Sequence, residues 1–124
     1  MGYRSEVILV VGKEVMPQFL VTLAKSGEAR ALCYHDADQY KQNHGEEGTC
    51  LFYWSHIKWY DSFEEVQAIQ DFLDWCESER VDVDGKPTDA DQFVQFIRIG
   101  EELDDMEARG YGYYNVGINR SIDF

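Results

Sequence analysis

Basic residues are scarce in this chain: 11 Lys and Arg stand against 24 Asp and Glu in 124 residues, a formal net charge of −13. A surface so poor in cations cannot neutralise a phosphate backbone, which disfavours direct binding to duplex nucleic acid and favours a basic partner instead. Cysteine is sparse too. Cys33, Cys50 and Cys76 are scattered through apolar segments, which suits free thiols in a reducing cytoplasm better than a disulfide frame. Long apolar runs are missing: the one at 7–11 has five residues, against roughly 20 for a membrane helix, and no secretory signal is legible. The opening Met-Gly-Tyr-Arg-Ser-Glu departs from a myristoylation site, which wants Ser or Thr where Glu6 stands. No Gly-x-Ser-x-Gly elbow, phosphate-binding Gly loop or dinucleotide fingerprint occurs.

Apolar and aromatic residues are plentiful. The chain is 44% hydrophobic and carries seven Phe, three Trp and eight Tyr, enough area to offset the entropy of ordering it. A wholly unstructured acidic tail is thereby excluded. A chain of this length buries roughly two thirds of its unfolded surface, whereas halves of about 60 residues would be marginal alone. Without an internal repeat, residues 1–124 form a single domain.

The pattern alternates strands and helices. Residues 3–11 are β-branched and aromatic and end at Gly12, a first strand whose continuous apolar run predicts burial on both faces. Pro17 suits a first helical turn, and Phe19, Leu20, Leu23 and Ala24 follow at helical spacing before Ser26-Gly27. Residues 28–40 fit either a short helix, with Ala29, Leu32 and Cys33 on one face, or a short strand at 31–35; the helix is favoured. Residues 51–60 hold five aromatics and read as a strand, with Leu51, Tyr53, Ser55, Ile57 and Trp59 on one face and Phe52, Trp54, His56, Lys58 and Tyr60 on the other. If exposed, this strand would be a natural dimer edge. Ser62 and Glu65 form a capping box, and Val66, Ile69, Phe72, Leu73 and Cys76 trace one stripe of a helix over 61–79. Further strands are expected at 93–99 and 113–122. Between them 101–109 reads as a short acidic helix anchored by Leu103 and Met106. The economical architecture is α+β: a single, mainly antiparallel sheet of four to five strands with helices on one face, ferredoxin-like or a related sandwich, with the first strand central.

The charge is unevenly placed. Residues 1–60 carry seven acids and six bases, and 61–124 carry 17 acids and five bases. The excess falls in the helix at 61–79, in 81–91, and in 101–107. Pro87, Gly85 and alternating acids mark 81–91 as an exposed loop. On a helix, residues three and four apart are neighbours, so Glu101, Asp104 and Asp105 share a face that Glu107 continues. A row of carboxylates at that spacing approximates the phosphates of a nucleic-acid strand and could occupy a Lys/Arg groove on a partner. Glu101, Glu102, Asp104, Asp105 and Glu107 are therefore the first candidates for partner binding. Asp82, Asp84, Asp89 and Asp91 come second, and Asp71 and Asp74 on the outer face of the long helix third. The plainer alternative is a solvated face that keeps the protein soluble.

Other chemistry is thinner. Cys33, His35, Asp36 and Asp38 include zinc-ligand types, but their spacing matches no ligand pattern, and surface turn residues describe them better. Asp82, Asp84 and Asp89 lack the terminal Glu of a calcium loop. Neither a metal, a cofactor nor a catalytic residue is expected. An alternative binding reading uses Arg4, Lys58, Trp59, Tyr60, Arg98 and Arg120, which lie beside aromatics or strand ends; converging, they could stack a base and hold phosphates, making a sponge or sensor for a nucleotide signal, cyclic or not.

Four segments carry a resemblance: Met-Gly-Tyr-Arg-Ser-Glu-Val at 1–7, Ile-Lys-Trp-Tyr-Asp at 57–61, Phe-Ile-Arg-Ile-Gly-Glu-Glu-Leu-Asp-Asp-Met-Glu at 96–107, and Asn-Arg-Ser-Ile at 119–122. Together they resemble a group of small proteins encoded by phages and prophages, most without an assigned activity. The resemblance implies a viral accessory protein made in the cytoplasm of a bacterial host, of the sort that blocks host defences by binding them. The leading expectation is a non-enzymatic inhibitor of a host protein, such as a CRISPR effector, acting through an acidic surface.

Overall fold

The computed structural model describes residues 2–112 and, for the backbone alone, 117–118 and 122–123. A five-stranded sheet has the order β2-β3-β1-β6-β7, with every neighbouring pair antiparallel. Its strands are β1 (Ser5–Val11), β2 (Gln39–Gln42), β3 (Cys50–Ile57), β6 (Val94–Ile99) and β7 (Met106–Arg109). Helices α1 (Met16–Lys25) and α2 (Gly27–Tyr34) connect β1 to β2, and α3 (Glu64–Ser78) follows β3. Apart from the added β7, this is the split β-α-β arrangement of a ferredoxin-like sheet with β1 at its centre.

Val7 to Val11 are all fully buried, as a run without polar alternation requires of a central strand. Val7, Leu9 and Val11 face the helices with Phe52, Trp54 and Phe96, while Ile8, Val10, Leu51 and Ile97 form a second buried cluster on the opposite face. The helices rest on the first face through Phe19, Leu23, Ala29 and Leu32 and the complete α3 stripe of Val66, Ile69, Phe72, Leu73 and Cys76. Phe19 sits between Phe72 and Phe52, with ring centroids 5.1 and 5.6 Å away; burying such a ring contributes roughly 2–3 kcal/mol. The Trp54 indole N–H donates to the Leu32 carbonyl at 3.0 Å, tying β3 to α2. Ser26 caps α2 by accepting from the Ala29 N–H at 3.2 Å and donates to Glu64 at 3.0 Å, tying α2 to α3. The favoured helix within 28–40 is thus present, and β2 follows it as an additional edge strand.

Several sequence expectations are corrected. Residues 81–91 are no open loop: β4 (Arg80–Val83) and β5 (Lys86–Asp89) form a separate hairpin closed by Asp84-Gly85, both with positive φ. A 3-10 turn, Ala90–Phe93, then leads into β6. The capping box does not form, because α3 starts two residues beyond Ser62, with Phe63 as its N-cap and no side-chain cap bond. Residues 101–109 are not helical but a turn followed by β7, leaving Leu103 wholly exposed and Met106 half exposed. The strand at 51–60 is not a free edge over Cys50–Tyr53, where β3 is paired with both β1 and β2. On it Phe52 and Trp54 share a face as expected, but the register slips between Ser5 and Val7, and Ile57 joins the helix-side core. The strand expected at 113–122 lies outside the described residues except for β8 (Gly117–Ile118) and the start of β9 (Ile122–Asp123), which pair antiparallel.

Candidate functional site

The first acidic block is built around one arginine. Gly100 ends β6, the chain turns through 101–104, and β7 returns beside β6 with Glu107 opposite Arg98. The Arg98 guanidinium grips the Asp105 carboxylate with two bonds, 2.8 and 3.2 Å, reaches Glu107 at 3.5 Å, and donates to Ser5 Oγ at 3.4 Å. The Tyr3 hydroxyl donates to Asp105 at 2.5 Å and accepts from the Glu102 N–H at 3.2 Å. The Arg4 N–H donates to the Glu101 carboxylate at 2.6 Å. Gly100 admits this packing because a Cβ there would run into the Asp105 carboxylate and the Tyr3 hydroxyl. Arg98 first and Tyr3 second hold the Asp105 carboxyl down to about 2, and the Tyr3 phenol is pushed up by the bond it donates to Asp105.

The carboxylate row expected on a helix is therefore absent. Asp105 and Glu107 are engaged by Arg98, whereas Glu102 and Asp104 stay exposed on either side of Leu103. Glu101 is exposed as well, although its carboxylate accepts from the backbone.

The other acids gather near the far end of β7. Arg109 is bracketed by α3, with bonds to Asp74 at 2.5 Å and to Glu77 at 2.8 and 3.0 Å. The 3-10 turn packs beside them: the Ala90 N–H donates to the Glu79 carbonyl at 3.0 Å and the Tyr111 N–H to the Asp91 carbonyl at 2.7 Å. Partial burial raises the Asp91 carboxyl, and the neighbouring charges of Asp89 and Glu77 add to the effect. Asp89 pairs with Arg80 at 3.1 Å, both well exposed, and Asp82 and Asp84 project from the hairpin. Asp71 instead opens on the groove between α1 and α3, beside Lys25 and Trp75. Asp89 and Asp91 of the second set thus lie near Asp74 of the third, whereas Asp82, Asp84 and Asp71 do not join them, and β6 with its six residues spans the about 20 Å that separates this cluster from the first set.

The stacking pocket is not assembled as expected. Trp59 is only 7% exposed and packs between Trp54 and Phe96, with ring centroids 5.6 and 5.8 Å away. Arg98 is committed to carboxylates, and Arg120 lies outside the described residues. Arg4, Lys58 and Tyr60 do come together, around Gly2. Cys33 is buried in the core while His35, Asp36 and Asp38 are exposed, and Asp38 accepts from the Ser55 N–H at 2.6 Å. Among the described residues no group of three His, Cys, Asp or Glu is placed to hold a metal ion, and no helix is long and apolar enough to cross a membrane.

Sequence reasoning missed the groups that organise the acids: Tyr3, Gly100 and Arg109. The two-residue spacing of Glu107 and Arg109 is the strand signal that could have revealed the last. No protein-family model, curated protein or solved structure matches the chain.

Proposed function

We propose that this is a non-enzymatic inhibitor that binds a protein of a bacterial host in the host cytoplasm, its acidic flank filling a Lys/Arg-lined groove built for nucleic acid, as in a CRISPR effector. One observation carries the reading. Asp105 and Glu107 are bound to Arg98 of β6, and Asp74 and Glu77 of α3 are bound to Arg109 of β7, in a stretch where residues 61–112 hold 16 acids and only four bases. The arginines at Arg98 and Arg109 set the geometry of part of this array and leave Glu101, Glu102, Asp104, Asp82 and Asp84 facing solvent. The pinned turn holds the backbone that carries Glu101, Glu102 and Asp104, so less chain freedom is lost on docking, and their field steers a basic partner. Leu103, exposed between them, adds an apolar contact that a nucleic acid could not supply.

The test is a comparison of the tagged protein with a Glu101→Lys, Glu102→Lys, Asp104→Lys variant in pull-downs from a bacterial host. A nucleic-acid-binding protein should be retained by the former, lost on the latter, and displaced by duplex DNA or moderate salt. Asp105 is left intact so that the turn stays pinned. Equal retention by a folded variant would sink the proposal.

A further inference from the structure

At the opposite rim of the same turn, the residues before β1 meet those after β3. A hollow of about 650 Å³ is lined there by Gly2, Tyr3, Arg4, His56 and Glu101. Lys58 and Tyr60 approach Gly2, one of the residues that line it. The side-chain position that Gly2 leaves vacant lies 2.9 Å from Tyr60 Oη, 3.1 Å from Lys58 Cε and 3.6 Å from Lys58 Nζ. Gly2 has φ +136, which a side chain would strain, so this close approach depends on glycine.

The charge of the hollow is contrary to that of the chain. Arg80, Arg98 and Arg109 are all bound by carboxylates, yet among the described residues the side chains of Arg4 and Lys58 make no ion pair. Among the described residues, the hollow and its Gly2 rim thus gather two cations without an ion pair, an imidazole and a phenol against one lining carboxylate, Glu101. We infer that this hollow binds a small phosphate ester carrying neighbouring hydroxyls, such as a nucleotide or a sugar phosphate. The Arg4 fork matches two phosphate oxygens, Lys58 supplies a point charge, and the Tyr60 hydroxyl and the His56 ring donate hydrogen bonds. Glu101, turned to the rim by the Arg4 N–H, accepts from an ester hydroxyl and repels a second phosphate. The ligand is therefore small and singly phosphorylated.

This site shares Glu101 with the acidic flank, but its cations, Arg4 and Lys58, belong to it alone. Titration calorimetry of the whole chain at low salt with AMP, ribose 5-phosphate and inorganic phosphate tests it. An ester should bind more tightly than inorganic phosphate, and an Arg4→Gln, Lys58→Gln variant should lose at least about tenfold in affinity while its melting temperature is unchanged. Glu101→Gln should narrow the gap between ester and phosphate. AMP binding above ribose 5-phosphate identifies a nucleotide site, and equal binding a sugar-phosphate site. Absence of heat with all three at about 10 mM, or affinity untouched by the double variant, overturns the assignment.

Discussion

Arg98→Met is the most informative perturbation of the fold beside the candidate site, because one guanidinium organises the whole β6–β7 end. Its side chain is 17% exposed, and those of Asp105 and Glu107 are 31% and 35% exposed. Arg98 and Tyr3 hold the Asp105 carboxyl down to about 2 from 3.8, a displacement that linkage converts to at most about 2.5 kcal/mol and that solvent around a carboxylate this exposed reduces to about 1. Losing the bonds to Ser5 and Glu107 adds about 1 kcal/mol. The expected destabilisation near neutral pH is thus about 2 kcal/mol, or about 1 M in the urea midpoint. The sign with pH follows from Asp105. Its folded pKa lies below its unfolded one, so its contribution is complete above pH 4 and fades as pH falls from about 4 towards 2. Without Arg98 the carboxyl returns towards its ordinary value and that contribution disappears. Urea titrations of both proteins at pH 7, 5 and 3 should give equal gaps at the first two and a smaller gap at pH 3. A gap below about 0.5 kcal/mol at pH 7, or one that is as large at pH 3, refutes the pinning of the turn.

Two further outcomes follow from the same geometry. Gly110 has φ +89, and a Cβ there would meet the Val94 carbonyl, so Gly110→Ala should lose about 2 kcal/mol or more, read as a fall of about 8 °C in Tm. Gly45→Ala, also at positive φ but in open space, should cost about half as much; equal effects would refute the close approach at Gly110. Burial pushes the Cys33 and Cys76 thiols up to about 12, so at pH 8 a disulfide reagent should modify only Cys50 quickly in the native protein and all three in denaturant. Fast reaction of two native thiols would contradict that core.

What the sequence disclosed was whatever repeats at short range. The α3 stripe is set by 3.6-residue spacing and the burial of β1 by a run of five aliphatics, and both hold in the structure. The hairpin at β4–β5 was equally local: Asp84-Gly85 supplies the two positive φ values of a two-residue turn, and Pro87 is tolerated on a strand paired on one side only. Alternating acids concealed it. Trp59 misled because alternation was extended past Ile57, where the strand ends and the chain folds the indole back into the core. Residues 101–109 failed for a different reason. Glu, Leu, Met and Ala favour a helix in isolation, but Tyr3 and Arg4, nearly 100 positions away, and the pairing of Met106–Arg109 with β6 override that preference. The difference bears on function. On a helix all five acids would lie on solvated faces, whereas on a strand opposite Arg98 the inward ones are neutralised and fixed. The charge open to a partner is then smaller than composition suggests but better positioned, and recognition should depend on Glu101, Glu102 and Asp104 far more than on the net charge of −13.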